Sequence, residues 1–281
     1  MDRTTSDVQI RPMVAADVAP ASEVIVDGGW SDRTAFFEWA VGHPTCIPLV
    51  ADDAGRIVGT GVATANGSVG WVGAIFVATD RRRTGLGSAL SRAVLDELEA
   101  RGCTTQVLIA TDEGRPIYER LGFEVQTRYV LQIAPEAAPA ADDGAVRPYA
   151  PADFDAINDL DHRATGEDRS AILRAFASPE TGRVAVREDG TVGAFVVRAP
   201  WGGRALIASE PALALALLEA RRRTASDPRI TIGVLLENEV GRAALMAAGW
   251  TERRGGPRLV RGAPLDWRPD WIYGQFTGAI G

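Results

Sequence analysis

The sequence carries one pattern twice, and this duplication constrains the possible fold more than any other feature of the chain. Three segments of the first half return in the second half in the same order. The pairs are 11–18 (RPMVAADV) with 147–154 (RPYAPADF), 52–59 (DDAGRIVG) with 187–193 (REDGTVG), and 121–124 (LGFE) with 248–251 (AGWT). Because the order is kept, the pattern predicts a tandem duplication.

The segment between the copies, 134–144 (APEAAPAADDG), has the composition of a linker. It is small, polar and proline-containing, which disfavours regular structure. We therefore predict two domains, at 1–134 and 145–281. The chain has 281 residues, of which 46% are hydrophobic, and this is enough apolar material for two cores.

Alternating extended and helical patterns in the first copy predict an α/β fold. The predicted elements are a strand at 8–11, helices reaching 26 and covering 34–41, strands at 47–51, 57–63 and 69–77, a helix at 87–101, a strand at 106–110, a helix at 114–121 and a strand after 123. In the longest helix, leucine or valine recurs every four residues from Leu86 to Leu98, so one face should be buried. Each domain is therefore predicted to be an α/β unit with a mixed sheet.

Charge and cysteine content argue against several classes of protein. The formal net charge of −7 disfavours a nucleic-acid partner, because phosphate binding requires a basic surface. Cys46 and Cys103 belong to no CxxC or Cys/His cluster, so we predict reduced thiols and no metal site. No secretory signal is visible, and the longest apolar run, near 212–218, is too short to span a bilayer. We expect a cytoplasmic protein with no membrane or nucleic-acid partner; the sequence gives no indication of oligomeric state.

Residues 75–88 (IFVATDRRRTGLGS) have the features of a phosphate-binding loop. An extended run ends, a polar turn follows, and glycines open an amphipathic helix. The first N–H groups of a helix have no partner within the helix, so such a site attracts anions. Gly85 and Gly87 would let a pyrophosphate approach the backbone, and Arg82 and Arg83 would add positive charge. The alternative interpretation of the same residues is a turn beside a solvated arginine cluster.

Two other phosphate loops fit less well. A Walker loop requires Gly-Lys-Ser/Thr, which is missing here. A dinucleotide loop requires a third glycine, near the position of Ala89.

The order of the motifs carries a resemblance to a known family. Arg82-x-x-Gly85-x-Gly87 is followed by a helix, a strand and then 118–123 (YERLGF). This arrangement resembles the GNAT superfamily of N-acyltransferases, whose loop reads Gln/Arg-x-x-Gly-x-Gly/Ala and whose later helix often reads Tyr-x-x-x-Gly-Phe. The resemblance covers roughly 7–133. The whole chain is similar to tandem GNAT proteins whose second copy is degenerate.

The resemblance implies acetyl-CoA as acyl donor and assigns roles to particular residues. Backbone groups of the strand before the loop, Ile75, Phe76 and Val77, would bind the pantetheine amides. The pyrophosphate would lie on the loop residues Arg82, Arg83, Thr84, Gly85, Leu86, Gly87 and Ser88. Tyr118 would protonate the leaving thiolate; the alternative is a half-buried core tyrosine.

The sequence offers no clear general base for the amine. Many relatives carry a carboxylate on the strand before the loop, but 71–77 (WVGAIFV) has none. Asp27, Asp32 or Glu38 in the early helices, or water, would have to replace it. The backbone N–H of Val77 could stabilise the oxyanion.

The second copy lacks the chemical residues of the first. The segment 208–212 (ASEPA), in place of the loop, has no glycine or arginine, and Glu210 would repel a phosphate. Leu245 stands where the first copy has Tyr118. We expect the second copy to support the first, so that an isolated 1–134 fragment is poorly soluble or inactive.

These features lead to one main functional prediction and two alternatives. The main prediction is acetylation of a primary amine on a small molecule. The first alternative is acetylation of a peptide or protein amine. The second is a non-catalytic module that binds acyl-CoA and regulates another process.

Overall fold

The computed structural model of the chain describes residues 8–137, 144–224 and 230–281, and these form two compact units. The first unit contains the chain as far as Glu124 together with Leu259–Ala263 and Gly278–Gly281. The second contains Val125–Arg258 and Pro264–Thr277. Residues 138–143 of the predicted linker lie outside the described residues.

This division differs from the predicted domains 1–134 and 145–281 in three places. Residues 125–134 follow the first copy in sequence but belong to the second unit. Two short segments of the second copy, Leu259–Ala263 and Gly278–Gly281, belong to the first unit. Each unit is thus completed by residues from the other half of the sequence.

The first unit is a mixed sheet with helices. Its elements are β1 (Val8–Pro12), α1 (Val18–Asp27), α2 (Thr34–Gly42), β2 (Cys46–Asp53), β3 (Arg56–Asn66), β4 (Val69–Val77), α3 (Leu86–Ala100), β5 (Thr105–Ile109) and α4 (Arg115–Arg120). The strands lie in the order β1-β2-β3-β4-β5; β4 and β5 are parallel, and the other neighbours are antiparallel. The four apolar residues predicted to face the core from α3 are buried.

The second unit repeats this arrangement and adds strands. Its elements are β6 (Glu124–Ile133), β7 (Val146–Pro148), α5 (Phe154–Thr165), α6 (Ser170–Phe176), β8 (Gly182–Val186), β9 (Val192–Arg198), β10 (Arg204–Ala208), α7 (Pro211–Thr224), β11 (Thr231–Leu235), α8 (Glu239–Ala247), β12 (Thr251–Gly262) and β13 (Ile272–Gly274). One sheet has the order β13-β10-β9-β8-β7, and β6 lies between β12 and β11. Two parts of these strands belong to the first unit instead. They are Glu124, the first residue of β6, and the end of β12 from Leu259 onwards.

The first repeated segment forms the same contacts in both copies. The Arg11 guanidinium binds the Asp17 carboxylate at 2.6 Å, and that of Arg147 binds Asp153 at 2.7 Å. Each carboxylate also accepts the backbone N–H three residues before it, at 2.9 and 2.8 Å respectively. The pair fixes the turn that leads from the first strand of each copy into its first helix.

The last repeated segment ends a helix in the same way in both copies. Gly122 and Gly249 both have a φ of +86°, a left-handed conformation that favours glycine. The residue after each glycine donates its N–H at 3.0 Å, to the carbonyl of Tyr118 in the first copy and of Leu245 in the second. The structure therefore places Leu245 at the position of Tyr118, and the tandem duplication is confirmed.

Two segments from late in the sequence, Leu259–Ala263 and Gly278–Gly281, complete the core of the first unit. Ile280 and Leu259 are both fully buried. The Asn66 side-chain amide donates to the Ile280 carbonyl at 3.1 Å, and Ala279 occupies the space beside Gly73 of β4. Burying each large apolar side chain contributes about 1.5–3 kcal/mol. A fragment that ends at residue 134 lacks all of these contacts.

We expect the fragment 1–134 to lack cooperative thermal unfolding, because it has lost two segments of its own core. In the full chain, Ile280→Ala should lower the free energy of unfolding by about 2–5 kcal/mol, as measured by denaturant titration. The matched control is Val26→Ala, because Val26 is 47% exposed, and its effect should be small. A stable, fully active 1–134 fragment would contradict this account.

Candidate functional site

The parallel pair β4 and β5 separates partway along its length. The strands pair only from Val69 to Trp71 on β4 and from Thr105 to Val107 on β5. Strand β4 nevertheless continues to Val77. Along the rest of β4, the backbone groups on this side have no strand partner among the described residues. Buried backbone N–H and C=O groups require partners, so an open strand edge can bind a ligand that carries amides.

A β-bulge reshapes β4 within this open stretch. Thr60 pairs with Phe76 and Val62 with Gly73, so β4 has one residue more than β3 between these pairs. Ala74 has a φ of +50°, and its carbonyl accepts the Thr60 hydroxyl at 2.8 Å. A bulge of this kind bends a strand and re-aims the side chains that follow.

Side chains after the bulge point to opposite faces of the sheet. Ile75 and Val77 lie on the face that α3 covers, close to Gly61 and Gly87 respectively. Phe76 lies on the other face, where its ring occupies the space beside Gly28. The backbone of the three predicted pantetheine-binding residues therefore runs along the open edge between two packed faces.

The predicted phosphate loop forms a tight turn that leads into α3. Arg83 has a φ of +64° and Gly85 a φ of +89°, and the Thr84 hydroxyl donates to the Arg81 carbonyl at 2.8 Å. Helix α3 begins at Leu86 directly after Gly85. No atom lies within 4 Å of the position that a Cβ on Gly85 would occupy, so the turn faces open space.

The three consecutive arginines of the loop differ in their electrostatic surroundings. Arg81 forms an ion pair with Asp53. Arg82 donates to the Val77 carbonyl at 3.3 Å, and its guanidinium lies 5.6 Å from the centre of the Phe76 ring. Within the described ranges, neither Arg82 nor Arg83 pairs with a carboxylate. Their positive charge is therefore available to an anionic ligand at the start of α3.

Gly87 lies where the strand, the loop and helix α4 meet. A Cβ at this position would be 3.6 Å from Ile117 of α4 and 3.7 Å from Val77 of β4, which is ordinary contact distance. Packing within the unit does not require glycine here. Its value would lie in the close backbone approach that it allows to a bound group.

Tyr118 is linked to the loop through one serine. The half-buried Tyr118 on α4 lies beside Ser91 of α3, whose hydroxyl donates to the Gly87 carbonyl at 2.8 Å. Burial raises the pKa of Tyr118 to about 12, although the neighbouring Ser91 side chain opposes the shift. The phenol is therefore protonated at neutral pH, as a general acid must be.

Sequence reasoning did not identify Ser91. A possible signal was a polar residue on the buried face of α3, between Leu90 and Val94. Ser91 is 1% exposed. A buried hydroxyl normally has a hydrogen-bond partner, so its presence on this face indicated a contact with a neighbouring element.

The candidate bases of the early helices are poorly suited to the role. The Asp32 carboxylate accepts the Ser22 hydroxyl at 2.6 Å and both the N–H and the hydroxyl of Thr34, and these bonds lower its pKa to about 2. Asp27 and Glu38 are exposed on α1 and α2. Strand β4 carries no titratable side chain. Water is then the simplest acceptor for the proton of the amine.

The corresponding region of the second unit is filled by the chain itself. Strand β10, which corresponds to β4, pairs along its edge with β13. The start of α7 follows Glu210, whose carboxylate binds Arg187 at 2.6 Å. Neither an open strand edge nor an uncompensated arginine is found there among the described residues.

The described part of the chain holds no group of three or more His, Cys, Asp or Glu side chains that could bind a metal ion. No helix in those same ranges combines the length and apolar composition that crossing a bilayer requires.

Two family models match the chain, one in each half. The model described as "Acetyltransferase (GNAT) family" matches residues 17–123, and that described as "Acetyltransferase (GNAT) domain" matches residues 157–274. Together they cover most of the sequence and include the open edge of β4, the start of α3 and Tyr118.

Solved structures of similar proteins share the fold over nearly the whole chain. A Pyrococcus horikoshii protein assigned as an acetyltransferase has a TM-score of 0.83 and 20% identity, with 100% of this chain and 98% of that chain covered. A tandem GNAT protein from the clavulanic acid biosynthesis pathway has a TM-score of 0.63 and 16% identity, covering 92% and 100%. A GCN5-related N-acetyltransferase from Sphaerobacter thermophilus has a TM-score of 0.64 and 18% identity, covering 94% and 99%.

The resemblance expected from the sequence is confirmed by these matches, as is the α/β class of both halves. With two such domains in one chain, the protein belongs to the GNAT family of acetyltransferases.

Proposed function

We propose that this enzyme transfers an acetyl group from acetyl-CoA to a primary amine of a small molecule, and that the donor binds in the first unit. One observation carries the proposal. The open edge of β4, the uncompensated positive start of α3 and the protonated Tyr118 all meet around Gly87. Each supplies what a different part of an acyl-CoA thioester requires.

The donor would be held mainly by backbone groups. Backbone groups of Ile75, Phe76 and Val77 that face the open edge would bind the pantetheine amides, apart from the N–H of Val77, which would face the reacting carbonyl. The pyrophosphate would lie on the backbone from Arg82 to Ser88, where the first turn of α3 presents N–H groups. The guanidinium groups of Arg82 and Arg83 would neutralise its charge.

The proposed reaction is an addition followed by an elimination. The neutral amine attacks the thioester carbonyl, forming a C–N bond, and the N–H of Val77 stabilises the oxyanion. The C–S bond then breaks, and Tyr118 gives its proton to the departing thiolate. The nitrogen loses a proton to water, and the phenol is reprotonated from solvent. The products are the N-acetylated amine and free CoA.

The first unit favours a small acceptor over an extended peptide. Ala279 packs against Gly73 on β4, just before the bulge. The chain itself thus forms a wall beside the strand that would hold the reacting carbonyl. The presence of a tyrosine on α4, the helix that packs beside Gly87, argues against a purely non-catalytic module, because binding alone requires no proton donor there. Two free, buried cysteines support a cytoplasmic location.

Acetyl-CoA should bind at one site per chain, measured by calorimetric titration. Replacing Gly85 and Gly87 together by glutamate should abolish binding, because the new charges and side chains occupy the anion site. The matched control is Gly190→Glu, because Gly190 also has a positive φ and open surroundings but lies in the second unit. Two sites per chain, or binding that survives the double substitution, would contradict the assignment.

Tyr118→Phe should lower kcat by roughly 10²–10⁴-fold while leaving the acetyl-CoA dissociation constant nearly unchanged, because a general acid acts in the transition state. The control is Tyr273→Phe, which removes a buried hydroxyl of the second unit and should leave kcat unaltered. Wild-type turnover by Tyr118→Phe would show that another group protonates the thiolate.

The pH dependence of kcat should show no loss of the acid between pH 7 and 10. The phenol of Tyr118 keeps its proton below its pKa of about 12 and loses it only above that value. Ionised tyrosine absorbs near 295 nm. When the pH is raised, the difference in this absorbance between wild type and Tyr118→Phe reports the ionisation of Tyr118, and its midpoint should lie near pH 12. A midpoint near 10, the ordinary value for tyrosine, would show that the side chain is solvated.

A further inference from the structure

Both copies contain an arginine at one corresponding position, but the surroundings of its side chain differ between them. The spacing from Arg11 to Arg33 equals the spacing from Arg147 to Arg169, so these two positions correspond without insertion or deletion. Each arginine follows an aspartate whose carboxylate accepts the N–H and hydroxyl of the residue two positions later. The local backbone is therefore the same in both copies.

In the second copy, this arginine is neutralised by an internal carboxylate. Arg169 donates two hydrogen bonds to Asp161, at 2.9 and 2.5 Å. The two side chains are only 2% and 1% exposed. A buried charge of this kind is stable only with such a partner.

In the first copy, the partner is missing. The position that corresponds to Asp161 is Ile25, which is fully buried. Arg33 is half-buried, and its guanidinium forms no ion pair or hydrogen bond within residues 8–137, 144–224 and 230–281. Burial lowers the pKa of Arg33, although the nearby charge of Asp32 opposes this. The neighbouring Asp32 accepts hydrogen bonds from Ser22 and Thr34 through its Oδ1 atom, and within the described residues it forms no ion pair with Arg33.

Arg33 belongs to the segment that covers β4 on the side away from α3. In this segment between α1 and α2, Gly28 lies against the Phe76 ring, and the Trp30 ring meets Phe76 edge-on at 5.7 Å. Trp30 remains 41% exposed. Phe76 is one of the residues proposed to bind the donor. The unpaired arginine therefore stands in a segment adjoining the proposed reaction site.

We propose that Arg33 binds a carboxylate of the acceptor, so that the acceptor is an amino acid or another amine that carries a carboxylate group. The inference rests on the proposed acetyl transfer. The second copy indicates the chemistry, because there the same arginine binds a carboxylate in a two-bond arrangement. Guanidinium and carboxylate match in this geometry. In the first copy, the acceptor would take the place of the lost aspartate.

The test compares acceptors that differ only in the carboxylate. L-amino acids, their carboxamides and their decarboxylated amines are assayed for acetyl-CoA-dependent release of CoA. For accepted side chains, wild type should prefer the acid by roughly 10–100-fold in kcat/KM, as expected for a charged hydrogen bond. Arg33→Gln should abolish this preference by raising KM, with kcat on the carboxamide retained. Arg33→Lys should keep part of it.

Two further variants control for charge and structure. Arg92→Gln removes an exposed arginine of α3 and should leave the preference intact. Ile25→Asp places the aspartate of the second copy beside Arg33, so it should remove the preference although Arg33 is unchanged. Its folding is checked by thermal melting and by acetyl-CoA titration. If Ile25→Asp does not fold, Arg33→Gln still tests whether Arg33 recognises the carboxylate, because position 33 is only half-buried.

The outcomes separate this inference from the proposed function. Acids and carboxamides acetylated equally well, with no effect of Arg33→Gln, would overturn the role of Arg33 and leave the acetyl transfer intact. A preference for O-phosphoethanolamine over every carboxylate would overturn the assignment of the group. No CoA release with any amine would overturn the proposed function. Calorimetric binding of the same acids and carboxamides in the presence of CoA would then decide whether Arg33 recognises a carboxylate.

Discussion

The separation of β4 from β5 is the constraint on which the first unit depends. Two parallel strands that stayed paired beyond Trp71 and Val107 would satisfy each other's backbone groups and leave no edge for a donor. The bulge at Ala74 bends β4 within this stretch, and the Thr60 hydroxyl holds its carbonyl. A non-glycine residue at positive φ costs about 1–3 kcal/mol. The surrounding sheet therefore maintains a strained backbone at Ala74, three residues before Val77, whose N–H is proposed to stabilise the oxyanion.

The second unit shows what happens when the same edge is not kept open. There β13, which lies in the aromatic segment near residue 272, pairs with β10 at Leu206 and Ile207. Tyr273 and Phe276 are each only 1% exposed, so this segment also serves as core. The two copies thus share one architecture but differ at the edge of the corresponding strands β4 and β10. One edge can accept an external ligand, and the other is covered by the chain.

Local patterns in the sequence located most elements and the residues of the loop. The apolar spacing from Leu86 to Leu98 and the glycines after Tyr118 and Leu245 depend only on neighbours in sequence, so they could be predicted. The compact unit to which residues 125–134 and Leu259–Ala263 belong could not be predicted, because it depends on pairing between strands that are distant in sequence. The bulge at Ala74 was equally invisible, because alanine seldom adopts positive φ. The lost partner of Arg33 required both the repeat and the observed pair Asp161–Arg169.

The sharing of segments between the units has a consequence for biosynthesis. The first unit includes Leu259–Ala263 and Gly278–Gly281, so it cannot be completed when the ribosome has made only its first 124 residues. At about 5–20 residues per second, the remaining segments follow roughly 10–30 s later. During that interval Asn66 and Gly73 lack their native neighbours. Folding of this chain therefore cannot proceed strictly from the N-terminal unit onwards.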